Sequence, residues 1–297
     1  MIIVDNASSD RSVELAKELQ FKLNLQDQVR IISNAINLGQ TGGDNLGANY
    51  AKGDYILLLD VDTWLEENCL SHLAKHIKEK QEVGMWQCRV LNEDGSLRSD
   101  GNNCDIYGGI CAPYKNDRFF YVTGAFLLIK KKIWNELNGF DEALFAYCED
   151  MDMGWQTRLL GYELSCCKES ICYHTGSITL GSYSPKKFFW IERNRIRVLT
   201  KNYSITRLLK RIVPTLFLIS LRGTFSAFQE HNSNYMKSLI SVYFWNIKNL
   251  KTTITKRNQI QCQRTVSDAF IEKFLYTYST ELYALKRALF LKGKIQL

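Results

Sequence analysis

The sequence predicts an α/β fold: a mostly parallel, Rossmann-like sheet with helices on both faces, followed by a basic, mainly helical C-terminal region. Three observations carry the prediction. Over residues 1–183, short apolar runs alternate with helix-compatible stretches, the pattern of strands joined by crossover helices. Gly and Asn/Asp turns separate these runs. Finally, the charge reverses: residues 1–183 hold 17 Lys+Arg against 26 Asp+Glu, whereas residues 184–297 hold 21 against 5. That reversal and the change of texture place a boundary near Ser184-Pro185. A chain of 297 residues with 45% hydrophobic content suits one large domain, here residues 1–183, with residues 184–297 as an appendage.

The elements follow in order. "MIIVD" reads as a strand ending at Asp5, and "SSDRSVELAKELQFKL" as a helix opened by a Ser/Asp cap. "VRIISN" is a second strand, and "NLGQTGGDNLGANYAKG" a Gly-rich turn entering a helix. "YILLLD" is a third strand, its unbroken apolar run suited to burial on both faces. "EENCLSHLAKHIKEK" is a surface helix. "VGMWQCRVL" and "RFFYVTGAFLLIKKKIW" supply further strands, the latter turning helical around Lys130. An amphipathic helix, Trp155 to Leu160, ends at Gly161, and a short strand ends at His174.

In a sheet of this kind ligands bind beyond the carboxyl ends of the strands, where Asp5 and the Asp60/Asp62 pair lie. Strand alternation sends Asp60 and Asp62 off the same face. Like charges that close repel unless a cation or a donor-rich ligand sits between them. Other motifs carry less. "NLGQTGGDNLG" is able to cradle phosphate, yet lacks the P-loop Lys and does not match GxGxxG. "LDVDTW" is one residue short of the phosphatase signature, because Thr63 follows Asp62 directly. His72 and His76 stand i, i+4 on a helix, but with no third ligand nearby they read as a solvated face. The nine cysteines, including Cys166, Cys167 and Cys172, show no zinc-ribbon spacing and read as mostly buried thiols.

Glu149, Asp150 and Asp152 open the Trp155 helix, where acidic residues also complement a helix dipole. His174 follows in "YHTGS". A carboxylate pair, a carboxylate base and a His, all at element ends, fit metal-assisted displacement at a diphosphate.

These blocks, in order, resemble the inverting family 2 glycosyltransferases of GT-A fold, especially the rhamnosyltransferase-like branch. The blocks are "VDNASSD", "NLGQTGGDNLGANYAKGDYILLLDVDT", "VTGAFLLIKKKIW", "GFDEALFAYCEDMDMGWQTRLLGY", "YHTGS" and "RNRIRVLTKNY". They cover roughly the first 200 residues. The resemblance implies a nucleotide-diphosphate sugar donor, a glycan or lipid-linked acceptor, and Mg²⁺ or Mn²⁺. By it, Asp5 contacts the base and ribose, and Asn37, Gly39, Gly43, Asp60 and Gly124 join the donor site. Asp60 and Asp62 form the DxD motif with His174 assisting the metal, and Asp150, beside Glu149, is the catalytic base. Trp155 and Arg158 brace the helix or the donor's edge rather than take part in chemistry, and Gln40-Thr41, where the family often has Phe-Ala, is neutral for chemistry. The family also implies a strand and helix before "VDN", so the chain is expected to begin inside the second strand and to be weak in donor binding. A non-catalytic relative that binds nucleotide-sugar or membrane is the alternative reading.

The C-terminal region mixes Arg/Lys with Leu, Ile and Phe in "RNRIRVLTKNYSITRLLKRIVPTLFLISLRGTF". Such helices lie in a membrane interface, attracted to anionic headgroups by about 1 kcal/mol per basic residue. The competing reading is a helical layer packed on the first half. No apolar run reaches the roughly 20 residues of a span, since Ile212 to Leu221 stops at Arg222. No nucleic-acid module is recognisable. The expected location is cytoplasmic, peripheral at the inner face of the membrane.

Overall fold

The computed structural model describes residues 1–111, 118–175, 184–283 and 286. β1 (Ile2–Asp5) and β2 (Arg30–Ser33), joined through α1 (Ser12–Lys22), pair in parallel as a two-stranded sheet. Then come α2 (Gly39–Tyr50), β3 (Tyr55–Leu59), β4 (Thr63–Leu65), α3 (Cys69–Glu79), β5 (Val83–Leu91) and β6 (Leu97–Ser99). β7 (Asn103–Cys104) and β8 (Ile110–Cys111) form a small antiparallel ladder. β9 (Phe126–Lys130) runs directly into α4 (Lys131–Leu137), and α5 (Glu149–Leu159) precedes β10 (Glu163–His174). Among the described residues, five α-helices follow: α6 (Pro185–Asn202), α7 (Ile205–Gln229), α8 (Asn234–Lys248), α9 (Leu250–Gln263) and the short α10 (Asp268–Ile271).

The main sheet has the order β3-β9-β5-β10-β4, with β6 on β5. It is mixed rather than mostly parallel. β5–β10 is parallel, whereas β3–β9, β5–β9, β10–β4 and β5–β6 are antiparallel. An apolar run reveals a buried strand but not its direction, so the insertion of β9 between β3 and β5 was not readable. Helices do cover both faces. Phe126 and Leu128 of β9 pack with Cys69 and Leu73 of α3, while Leu127 and Ile129 pack with Ile133 of α4 and Met153 of α5.

Several local expectations change. Among the described residues β3 pairs with β9 alone, at the edge of the sheet, so Tyr55 and Leu59 are exposed and only Ile56 of the strand is fully buried. The glycines of residues 37–53 lie mostly inside α2, not in a turn before it. α5 starts at Glu149, so the acidic residues form its first turn. It is buried along its length rather than amphipathic, because Met151, Trp155 and Leu159 share a core with Val198, Leu199 and Tyr203 of the C-terminal region. β10 is long, with a register break between Cys167 and Ile171.

The largest correction concerns the "RNRIR" run. Arg193, Arg195, Arg197 and Lys201 of α6 are all buried. Arg197 forks onto Asp141 (2.7 and 3.1 Å), Lys201 bridges Asp141 and Asp152 (2.6 Å each), and Asn202 donates to Asp152 (2.8 Å). Arg195 pairs with Glu192 and Glu281. The Arg197 and Lys201 charges cement the helix to the α/β half, and none of the four buried charges is available to a membrane.

Candidate active site

Chain register assembles the site. β10 runs antiparallel to β4 with His174 opposite Thr63, and Trp64 stacks on Tyr173 (centroids 5.6 Å apart, 13° between planes). This folds the strand end back onto the Asp60-Val61-Asp62 turn. His174 Nε2 lies 3.1 Å from Asp62 Oδ1. One donor atom each from Asp60, Asp62 and His174 falls within 4.8 Å of the other two. The Gly176 and Ser177 positions of "YHTGS" lie outside the described residues.

Two adjacent residues tie Asp60 to Asp150. The Asp60 N–H donates to the Ala125 carbonyl (3.2 Å), and the Gly124 N–H donates to Asp150 Oδ2 (3.2 Å). The Met151 N–H donates to Asp150 Oδ1 (2.7 Å). Burial, opposed by these two N–H groups and assisted by Asp60, pushes the Asp150 carboxyl up to about 6. Burial followed by the Asp150 charge pushes Glu149 well above the usual range, and its Oε2 is buried without a hydrogen-bond partner. Burial also raises Asp60, with His174 opposing and Asp62 adding.

Sequence reasoning missed Asp44. It lies one turn beyond Gln40 on α2, and burial followed by the Asp60 charge pushes it up to about 7. Gln40 itself, expected to be neutral, donates to Asp60 Oδ1 (3.2 Å). The i, i+4 spacing of Gln40 and Asp44 was the available signal. Among the described residues, none of Asp44, Asp60, Asp62, Glu149 and Asp150 pairs with Lys or Arg. Such a set of acidic oxygens with one imidazole fits a hard divalent cation such as Mg²⁺ or Mn²⁺.

The remaining predicted residues divide by what they touch. Asp5 ends β1 and takes the Ser8 N–H on both carboxylate oxygens (3.3 Å). Asn37, Gly39 and Gly43 serve the chain. Asn37 Oδ1 accepts from the Gly39 N–H (2.8 Å), and a Cβ on Gly43 would meet Asn6 Nδ2 at 2.9 Å. Gly39 has φ +73°, and a Cβ there would sit 2.4 Å from the Phe145 carbonyl. Gly124 does face the carboxylates, 3.7 Å from Glu149 and 3.8 Å from Asp150 by the same measure. Asp152, by contrast, belongs to the buried ion network of α6. Arg158 braces α5 as expected, donating to the Phe119 and Phe120 carbonyls (2.8 Å each), and Trp155 meets Phe120 and Tyr203 edge-on.

The segment leading into α5 is strained. Phe145, Tyr147 and Cys148 have φ of 67, 70 and 67°, a region costly for residues with side chains. Nothing in the sequence announced this.

Away from the site, His76 has neighbours that its helix spacing did not reveal. Cys167 and Glu169 of β10 place donor atoms within 4.8 Å of it, while its Nε2 bonds Ser165 Oγ (2.9 Å).

Residues 1–137 match the family described as Glycosyl transferase family 2. The poly-beta-1,6-N-acetyl-D-glucosamine synthase of Staphylococcus epidermidis is 23% identical over 200 residues, which cover 65% of this chain and 46% of the synthase. The chain thus spans about half the length of the curated relatives it matches. Among solved structures, GalNAc-T7 with UDP, GalNAc and Mn²⁺ aligns with a TM-score of 0.51 and 18% identity, over 67% of this chain and 42% of that one. S. aureus TarS 1-349 in complex with UDP aligns with a TM-score of 0.50 and 16% identity, over 92% and 82%. At such identities these likenesses establish the GT-A-like fold alone, now with its mixed sheet and helical C-terminal region.

Proposed function

We propose that this chain is an inverting, metal-dependent glycosyltransferase of family 2. In this reading it moves a sugar from a nucleoside diphosphate, of the dTDP-rhamnose type, to a hydroxyl of a glycan or lipid-linked saccharide. The convergence of Asp60, Asp62 and His174, joined through Gly124-Ala125 to Asp150, carries the proposal. Asp60, Asp62 and His174 would hold Mg²⁺ or Mn²⁺, which supplies charge neutralisation for the departing diphosphate. The similarity to a poly-beta-1,6-N-acetyl-D-glucosamine synthase and to two proteins solved with UDP supports a sugar-transferring role and a nucleotide ligand.

The chain's own residues then divide the work. Asp5, at the end of β1, contacts the base and ribose. Asp150 accepts the proton of the acceptor hydroxyl as that oxygen bonds to the anomeric carbon. The bond between the anomeric carbon and the phosphate oxygen breaks on the opposite face, its electron pair leaving with the nucleoside diphosphate. A carboxyl at about 6 is ionised at neutral pH yet still basic enough for this role. Burial favours the neutral form of Glu149, which limits the negative charge beside the base.

The test is hydrolysis and transfer with a panel of nucleotide-sugars, with and without Mn²⁺. Turnover of one donor that requires the ion supports the reading. No turnover or binding of any donor, by a folded chain with Mn²⁺, would overturn it.

A further inference from the structure

α7 presents a surface that folding leaves unused. Ile205, Leu209, Val213 and Phe217 recur every fourth residue and are each 57–68% exposed. They make an apolar stripe about 18 Å long. The opposite side of the helix, including Leu208, Thr215 and Ile219, faces the protein core. α8 repeats the arrangement: Ile240, Phe244 and Ile247 are 66–73% exposed, while Tyr235, Leu239 and Val242 are buried. Scattered exposed leucines are ordinary, but two neighbouring helices with unbroken exposed stripes mark an interaction surface.

We propose that α7, α8 and the start of α9 form a docking face for an anionic lipid bilayer. This goes beyond the catalytic reading and does not depend on it. Charge selects the occupant. Lys210, Lys237, Lys248 and Lys251 are exposed on these helices, and Glu230 is the only acidic residue from Ile205 to Gln263. A second copy of the chain would bring this positive face against itself, whereas anionic headgroups complement it. The long lysine stems let the ammonium groups reach headgroups while the stripe enters the acyl boundary.

The helices lie along the membrane in this arrangement. By length and composition α7 is able to cross a bilayer. However, Arg211 pairs with Glu272 (3.1 Å) and Arg222 with Glu192 (2.9 Å), and these bonds fasten it to the folded body. The attracting charge is therefore that of exposed lysines, not the buried arginines of α6.

Cosedimentation of the full chain with phosphatidylcholine vesicles, with and without phosphatidylglycerol, tests the proposal. The chain should bind the anionic vesicles, and salt should release it. Leu209→Ser with Phe217→Ser, and separately Ile240→Ser with Phe244→Ser, should each weaken binding about a hundredfold, at roughly tenfold per large side chain. Lys210→Glu with Lys248→Glu should weaken it several-fold without altering the circular dichroism spectrum. Because all these side chains are exposed, a normal spectrum and melt separate lost docking from lost folding. Failure of the wild-type chain to bind anionic vesicles would overturn the proposal. So would wild-type binding by both folded serine variants. If those variants instead convert a dimer to a monomer in sedimentation, with vesicle binding unchanged, the stripe is a contact between copies and the proposal fails.

Discussion

The side-chain nitrogen of Asn194, on α6, lies 2.8 Å from the carbonyl oxygen of Tyr147, two residues before Glu149. The same amide reaches the carbonyls of Leu144 (2.9 Å) and Ala146 (2.8 Å), and Arg193 donates to those of Ala143 and Leu144. A helix of the basic half thus clamps the left-handed segment from which the acidic first turn of α5 projects. Asn194→Leu strips the donors from buried carbonyls, at a cost of about 1–3 kcal/mol. The melting temperature should fall by several degrees, and kcat should fall more than donor affinity. Thermal melts and donor calorimetry check this. A loss of affinity with kcat intact would refute the clamp.

Asp150→Asn removes the proton acceptor but keeps the shape. Transfer should drop by about 10²–10⁴-fold while donor binding stays within a few-fold. In the unaltered enzyme, transfer should rise with pH through about 6, as the base ionises. If donor affinity collapses with turnover, Asp150 is a donor ligand.

Asp62→Asn removes one oxygen charge from the Asp60–Asp62–His174 group. We expect most turnover to be lost, and the Mn²⁺ concentration needed for half-activity to rise by at least about tenfold. Chelation of the unaltered chain should abolish turnover reversibly. Metal titration of both proteins decides this; an unchanged metal requirement in the variant removes Asp62 from the site.

The acidic cluster makes stability depend on pH in a particular direction. Asp44 and Asp150 are raised from 3.8 to about 7 and about 6, so the folded chain holds protons that the unfolded chain has released. Their contribution is full below about pH 4 and is lost as pH rises through 6 to 7. Asp141 acts in another window. Burial favours its neutral form, but Lys201 and Arg197 outweigh this and hold it below the usual range, so its contribution is lost only in stronger acid. The metal-free chain should therefore lose stability from about pH 4 to pH 7, and Mn²⁺ should restore more at the higher pH. Equal Mn²⁺ shifts in melting temperature at both pH values would contradict this coupling.

Gly39→Ala and Gly95→Ala separate backbone strain from collision. Both glycines have positive φ, but a Cβ at Gly95 meets nothing within 4 Å. Gly95→Ala should cost about 1–2 kcal/mol. Gly39→Ala should cost at least about 2 kcal/mol more, because its Cβ would strike the Phe145 carbonyl. Denaturant melts of the two variants give the difference directly, and similar costs would show that α2 and residue 145 shift apart easily.

The acidic site was legible where chemistry coincides with element ends. Asp60 and Asp62 follow an apolar run, Asp150 opens a helix, and His174 closes a strand. Asp44 was hidden because a carboxylate in a Gly-rich helix looks solvated until Asp60 is brought beside it. Strand direction left no trace in the apolar runs, so β9 was placed without its antiparallel sense. Arg197 and Lys201 misled for a related reason. A basic run reads alike whether water or Asp141 and Asp152 meets it, and those partners lie 49 to 60 residues away in the chain.

The separation of β1–β2 from the main sheet has a consequence for amide hydrogen exchange. A two-stranded ladder is marginal alone, and α1, which flanks it, has no buried residue. This corner should open as its own cooperative unit, below the free energy of global unfolding. Amides of Ile3, Val4 and Ile31 should exchange well before those of Leu127 and Ile129 in β9. A nucleoside diphosphate touching Asp5 on one side and Asp60 on the other would stitch the corner to the rigid sheet. Its addition should slow exchange in β1 and β2 selectively, leaving the rates in β9 where they were.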